Sequence, residues 1–254
     1  MKEILVVDKV NKFYGERLVL KDINIAFSKG DMVAIIGESG GGKTTLAKLI
    51  IGLENLNSGE ILYEGVKLKS LRKRDFKYCA DIQYIFQDPY AALEENKTVN
   101  EVLTEPIRIC KRHKRNTLTP SEALEIVDKN LLSYMDKKIE NLSGGQRQKV
   151  SIARALIPMP KIIIADECTS MLDEGSSEEV LKAFENIRKS QGVTILSIVH
   201  EVDFQKDPWN RIIVIKDGVV VEDLGFKEFQ INCKSDYSKK LIESYRFLRG
   251  IENE

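Results

Sequence analysis

Apolar and polar positions alternate through the first third of the chain and then change to a helical rhythm. Val6–Val10, Leu18–Phe27 and Met32–Ile36 predict strands, with turns at Tyr14-Gly15-Glu16 and Ser28-Lys29-Gly30-Asp31. Ile61–Tyr63 and Asp81–Phe86 extend this strand-rich part. From Thr98 to about Asn141 the apolar residues Val99, Val102 and Leu103, then Ala123, Leu124, Val127 and Leu131, recur at helical spacing. Ser143 followed by Gln146 has capping-box spacing, which predicts a helix from Gly144 to about Ile157, stopped by Pro158 and Pro160. A buried strand at Ile162–Ala165, a helix near Ser177–Ser190 and a second buried strand at Val193–Val199 follow. Strands that alternate with helices imply an α/β fold with a parallel sheet and ligand sites at the strands' carboxyl ends. Ile212–Ile215 and Val219–Val221 predict a hairpin around Lys216-Asp217-Gly218, and Asp223–Glu254 forms a charged, amphipathic tail.

Composition narrows the class. A chain of 254 residues with 43% apolar content can bury one large core or two small ones. Lys plus Arg and Asp plus Glu both number 39, so no global charge attracts nucleic acid or anionic lipid, and no nucleic-acid partner is expected. The basic run Lys111-Arg112-His113-Lys114-Arg115 is expected to be a solvated face or a local docking patch. Apolar runs such as Ile162–Ala165 and Ile212–Ile215 are far shorter than the roughly 20 residues that span a bilayer. With Met1-Lys2-Glu3 leading straight into a strand, the expectation is a soluble cytoplasmic protein. Cys79, Cys110, Cys168 and Cys233 are widely separated, which argues against a zinc site or a disulfide framework.

Three segments carry chemistry. Gly37-Glu38-Ser39-Gly40-Gly41-Gly42-Lys43-Thr44 follows a strand and opens a helix, the setting of a phosphate loop. Backbone N–H groups from Gly40 to Thr45 then wrap the phosphates, Lys43 neutralises the β and γ oxygens, and the Thr44 hydroxyl is aimed at Mg²⁺. The strand Ile162–Ala165 ends in Asp166-Glu167, where Asp166 can orient the metal and its waters and Glu167 can polarise an attacking water. Leu142-Ser143-Gly144-Gly145-Gln146-Arg147-Gln148 supplies a second anion site. A Ser-capped helix start leaves free N–H groups and a positive dipole end, unobstructed by side chains at Gly144 and Gly145. Since the chain already has a phosphate loop, a further anion-binding helix end makes sense if it closes over a nucleotide held by another copy.

Taken in this order and spacing, the glycine loop, Gln87, the Leu142–Gln148 signature, Asp166-Glu167, the turn Ser170-Met171-Leu172-Asp173 and His200 resemble the ATP-binding-cassette ATPases, from Val6 to about Asp223. The resemblance implies a nucleotide-binding core of phosphate-loop type, an antiparallel β-subdomain and an inserted helical subdomain. It places the ATPase domain at 1–222, with the helical insert at about 88–157 and a tail at 223–254. It implies that Tyr14 stacks on adenine, that Gln87 senses magnesium and a membrane partner, and that His200 contacts the γ-phosphate. It gives Asp173 a part in coupling two sites across a head-to-tail dimer, in which Ser143, Gly144, Gly145 and Gln146 face ATP bound to a second subunit, a copy or a paralogue. The implied function is ATP hydrolysis driving a membrane importer, with transmembrane permease subunits as partners, a solute-binding protein acting indirectly and the chain peripheral on the inner membrane face.

Gln87-Asp88-Pro89-Tyr90-Ala91-Ala92-Leu93, followed by Thr98-Val99, resembles the ATPases of peptide and nickel importers, which suggests peptides, nickel or a metal chelate as cargo. Four places depart from that branch. Glu94-Glu95-Asn96-Lys97 replaces an Asn-Pro-Arg-Met stretch, Cys168 replaces a proline and Met171 an alanine, and the tail keeps Tyr237 without a His-Pro before it. The alternative is a soluble ATPase of the same type in a non-transport assembly, such as phosphonate-degrading machinery. Chromosome-maintenance ATPases need long coiled coils between Thr44 and Ser143, for which there is no room, and kinases and GTPases leave Leu142–Gln148 without a role. Membrane fractionation separates the two remaining readings: the importer subunit pellets with membranes only when its permease is co-expressed.

Overall fold

The computed structural model describes residues 2–200 and 202–248. Its centre is a six-stranded sheet in the order β10-β9-β3-β8-β7-β6. Here β3 is Met32–Ile36, β6 is Ile82–Ile85, β7 is Ile162–Asp166, β8 is Thr194–Ile198, β9 is Arg211–Lys216 and β10 is Val219–Gly225. From β9 to β6 neighbours run parallel, and β10 returns antiparallel. Strands β3, β7 and β8 are buried along their whole length, as mostly apolar strands in a covered parallel sheet should be.

Alternate side chains of this sheet feed two cores. Ile163, Ala165, Ile195 and Ile212 face the helical side with Val150, Val180 and Phe184. Ile162, Ile164, Leu196 and Ile213 face the other side with α1 (Lys43–Ile51) and a second sheet. That second sheet is antiparallel, in the order β2-β1-β4-β5, from Glu3–Tyr14 (β1), Arg17–Ser28 (β2), Ser58–Tyr63 (β4) and Val66–Lys67 (β5). Two-residue turns fit their chemistry: Asp217 and Gly218 both take positive φ between β9 and β10, as a hairpin turn with right-handed strand twist requires.

Several elements differ from the sequence pattern. The strand expected at Asp81–Phe86 is shorter, because Asp81 ends a helix, α2 (Phe76–Asp81), and turns inward. The helical stretch expected from Thr98 to Asn141 is broken: α4 (Val99–Arg112) and α5 (Pro120–Asp128) each begin at their own capping box, Thr98 with Glu101 and Thr119 with Glu122, and two 3₁₀ turns follow. A short helix, α3 (Pro89–Ala92), precedes them, capped by Asp88. The signature helix α6 spans Gly144–Leu156. Helix α7 (Glu174–Gln191) starts three residues before the apolar period suggests, since the Asp173 carboxylate accepts from Ser176 N at 2.9 Å and caps it there.

The boundary expected between 222 and 223 falls inside β10, which pairs with β9 through Gly225. Asp223 is held there by Arg211 at 2.6 Å. Beyond it, α8 (Phe226–Asn232) and α9 (Asp236–Leu248) pack onto the helical-side core through Phe229 and Ile242, and Glu222 accepts from the N–H groups of Lys234 and Ser235. Residues 249–254 of the expected tail lie outside the described residues. No described helix is long and apolar enough to cross a membrane.

Two ion-pair clusters fasten the helices, one to the antiparallel sheet and one to each other. Arg115, the last residue of the basic run, leaves the solvent and reaches Asp81 at 2.7 Å, while Tyr63 of β4 donates to the same carboxylate at 2.9 Å. Lys149 of α6, almost wholly buried, binds Asp128 of α5 at 2.6 Å and Glu179 of α7 at 2.7 Å. Arg115→Ala strands the buried Asp81 carboxylate. It should lower the unfolding free energy by about 3 kcal/mol, seen as a reduced urea midpoint at unchanged m-value. An unchanged midpoint would mean that Tyr63 alone satisfies Asp81.

Candidate functional site: a phosphate loop beside two carboxylates

The loop after β3 takes backbone conformations that only glycine adopts freely. Gly37, Gly40 and Gly42 have φ of 147°, 76° and 101°. At Gly37 a Cβ would lie 1.9 Å from the carbonyl oxygen of Ile215, so the loop also packs against β9 without room for a side chain. Gly41 N donates to Glu38 O at 3.1 Å, closing the bend, and α1 begins at Lys43 with Gly42 as its cap.

Lys43 is buried, and its Nζ donates to Gly37 O at 2.8 Å and Glu38 O at 2.9 Å. Burial pulls its pKa down, opposed by the neighbouring charges of Glu167 and Asp166. Two of its three donors hold the loop closed, which leaves one for a ligand. Ser39, Gly40, Gly42, Lys43, Thr44, Thr45 and Glu167 line a cavity of about 200 Å³. Pockets that enclose a whole ligand hold roughly 300–1,000 Å³, so this cavity matches the phosphate end of a nucleotide and leaves the rest uncovered.

The opposite wall comes from the carboxyl end of β7. Asp166 Oδ1 accepts from the Thr44 hydroxyl at 3.1 Å. Glu167 takes φ of 49°, a left-handed conformation uncommon for a side chain of its size, and its N–H donates to Ile198 O of β8 at 3.0 Å. This kink sets the second carboxylate beside the loop. Its Oε2 accepts from Gln87 Nε2 at 2.9 Å and lies 2.9 Å from His200 Nε2. The phosphate loop, Asp166, Glu167, Gln87 and His200 thus converge from β3, β7 and the chain following β6 and β8.

A family model described as ABC transporter matches residues 20–170, more than half of the chain. The chain belongs to the ABC transporter family. It is 32% identical over 259 residues to the oligopeptide transport ATP-binding protein OppF of Lactococcus lactis subsp. lactis, covering 96% of this chain and 81% of the relative. It is 37% identical over 212 residues to the nickel import ATP-binding protein NikE of Escherichia coli O6:K15:H31, covering 82% and 79%. With the methionine import ATP-binding protein MetN of Clostridioides difficile it shares 35% over 222 residues, 86% of this chain and 68% of the relative. Among solved structures, cbiO1 of Clostridium perfringens, part of the ABC transporter complex cbiONQ, superposes with a TM-score of 0.77 at 29% identity, covering 98% of this chain and 96% of that one. ATP binding and ATPase chemistry follow from membership, and the fold is that of the ABC ATPases.

The remaining residues expected at the ABC site lie away from this cavity. Ser143 is exposed at the tip of α6: its Oγ accepts from Gln146 N at 3.3 Å, and Gln146 Oε1 accepts from Ser143 N at 3.0 Å. That box leaves the N–H groups of Gly144 and Gly145 without an acceptor among the described residues. Gly145 has no space for a side chain, since a Cβ would come within 2.8 Å of Ser176 Oγ. The signature tip therefore abuts the start of α7, which Asp173 caps. Tyr14, at the end of β1, is exposed on the rim of the antiparallel sheet under the Lys12 ammonium, 4.7 Å from its ring centre.

Cys168 is fully buried behind the carboxylates, and burial pushes its thiol up to about 12, so it stays a neutral packing group. Two contacts lay beyond the sequence reading. Tyr84 donates to Asp166 Oδ2 at 2.5 Å. Arg147 of the signature helix lies over the Tyr90 ring and pairs with Glu95 at 3.0 Å, inside the Glu94–Lys97 segment that departs from the importer pattern. Only the pairing of β6 with β7 and the packing of α6 bring these partners together, and neither leaves a periodic mark in the sequence.

Gly37→Ala should abolish measurable ATP binding in titration calorimetry, because it meets backbone rather than a movable side chain. Gly40→Ala meets open space and bears only its left-handed φ, at about 1 kcal/mol, so its affinity should fall by no more than roughly tenfold.

Proposed function

We propose that the chain is the ATP-hydrolysing subunit of a membrane importer for peptides, nickel or a metal chelate, working as one half of a head-to-tail pair. The observation that supports this reading is the division of the anion-binding parts: one cavity joins the phosphate loop to Glu167, while the α6 tip, exposed at Ser143, is not among the residues that line it. Each chain then offers two half-sites, completed when the α6 tip of a second subunit covers the phosphates. The importer class is supported by relatives named for oligopeptide, nickel and methionine import.

The donor set fits a magnesium ion. Asp166 and Thr44 present oxygen ligands side by side, and no described cluster of three or more His, Cys, Asp or Glu side chains competes as a transition-metal cage. Magnesium keeps several waters and is bound through one or two carboxylates plus phosphates, so Asp166, helped by Thr44 and Gln87, would suffice to hold it with the phosphates. When bound it supplies charge neutralisation at the β and γ oxygens.

Within the chain, the N–H groups from Gly40 to Thr45 cradle the phosphates and Lys43 turns its free donor to the β and γ oxygens. Tyr14 stacks on the base. Glu167 polarises the attacking water, with Gln87 and His200 exchanging their contact on its Oε2 for water and γ-phosphate. On the other half-site Ser143, Gly144, Gly145 and Gln146 grip the γ-phosphate of the opposed subunit's ATP, and Asp173 couples the two sites. ATP thereby closes the pair, and loss of the γ-phosphate lets it reopen, a cycle that permease subunits on the inner membrane face convert to alternating access.

Purified Glu167→Gln protein should form a dimer in light scattering only when ATP is present. Monomers persisting at saturating ATP would remove the paired mechanism. Paired Ser143→Cys and Ser39→Cys substitutions should form a disulfide between neighbouring copies under mild oxidation in that trapped state.

A further inference from the structure

We propose that Tyr84 is a positioning residue for the metal-binding carboxylate, orienting Asp166 so that Oδ1 is presented beside Thr44. The inference rests on the magnesium site described above. Asp166 has two oxygens and the structure assigns each one a role: Oδ1 accepts from Thr44 Oγ1 at 3.1 Å, and Oδ2 accepts from Tyr84 Oη at 2.5 Å. A hydroxyl donating to a carboxylate over so short a distance makes a charge-assisted bond, stronger than a neutral one. It prevents the carboxylate from rotating between its two near-equivalent settings.

The strand register explains how Tyr84 arrives there. In the parallel pairing of β6 with β7, Tyr84 is level with Ile164, on the sheet face that Ile164 shares with Asp166 two residues on. A phenol is long enough to cover that step. Its ring is fixed by packing against the core shared with α1 and the antiparallel sheet, and by an edge-on contact with Phe86, centroids 4.8 Å apart. Its ionisation is pushed up by burial and by the Asp166 carboxylate, so the hydroxyl remains a donor at neutral pH. The same strand end delivers Gln87 to Glu167, so one edge strand sets both carboxylates.

Hydrogen-bond partners of metal ligands commonly contribute about 10- to 100-fold in metal affinity. Tyr84→Phe keeps the ring and removes only the donor. In titration calorimetry on the full chain, ATP should bind wild type more tightly with Mg²⁺ than with EDTA. In Tyr84→Phe that metal-dependent gain should shrink at least about tenfold, while affinity in EDTA stays unchanged. Tyr84→Met should behave alike, and Mn²⁺ binding with ADP, followed by electron paramagnetic resonance, should weaken in parallel. Against an Asp166→Asn background, Tyr84→Phe should add nothing. Full retention of the metal-dependent gain, or equal losses with Mg²⁺ and with EDTA, overturns the inference. Absence of any gain in wild type overturns the magnesium-site reading itself.

Discussion

Two adjacent carboxylates at the carboxyl end of a buried strand are the constraint to which the site is built. Asp166 is nearly buried and Glu167 follows it directly, so their charges stand close together where little water screens them. Donors from four other places answer them. Thr44 of α1 and Tyr84 of β6 reach Asp166, while Gln87 after β6 and His200 after β8 reach Glu167. Lys43 adds the nearby positive charge. Remove the sheet order that sets β6 and β8 on either side of β7 and these donors scatter.

That arrangement explains why the loop can stay open to a ligand without collapsing. Lys43 spends two donors on loop carbonyls, and the glycines at positions 37 and 42 leave space filled by Ile215 and Leu20 rather than by their own side chains. The cavity's volume of about 200 Å³ takes the phosphate end of a nucleotide and leaves the rest uncovered.

The helices between β6 and β7 are tied to their neighbours by charge as well as by packing. Arg115 bolts the α4–α5 connection to Asp81 and Tyr63, and Lys149 ties α6 to both α5 and α7. Arg147 continues this pattern outward to Glu95. Arg147 lies in the helix that carries the signature at its start, so that helix touches the Glu94–Lys97 segment directly.

Local chemistry left a clear record in the sequence. The glycine run before Lys43 prescribes a loop that only glycine can form, Ser143 with Gln146 prescribes a helix start, and the apolar run at 162–165 and the mostly apolar stretch at 193–199, interrupted by Thr194 and Ser197, prescribe buried parallel strands. These signals act over a few residues, so they survive without the fold. Element ends were less legible wherever a side chain far along the chain decided them: Asp81 closes α2 instead of opening β6 because Arg115 and Tyr63 wait for it, and β10 runs past 222 because Arg211 holds Asp223. The sequence by itself determined which residues can bind phosphate and where they must fall in helices and strands, since backbone freedom and capping are local. Only the tertiary structure decided that Tyr84 would grip Asp166, that Gln87 and His200 would share one oxygen of Glu167, and that the α6 tip would stand apart from the loop, because each depends on strand order and register between segments that share no periodicity.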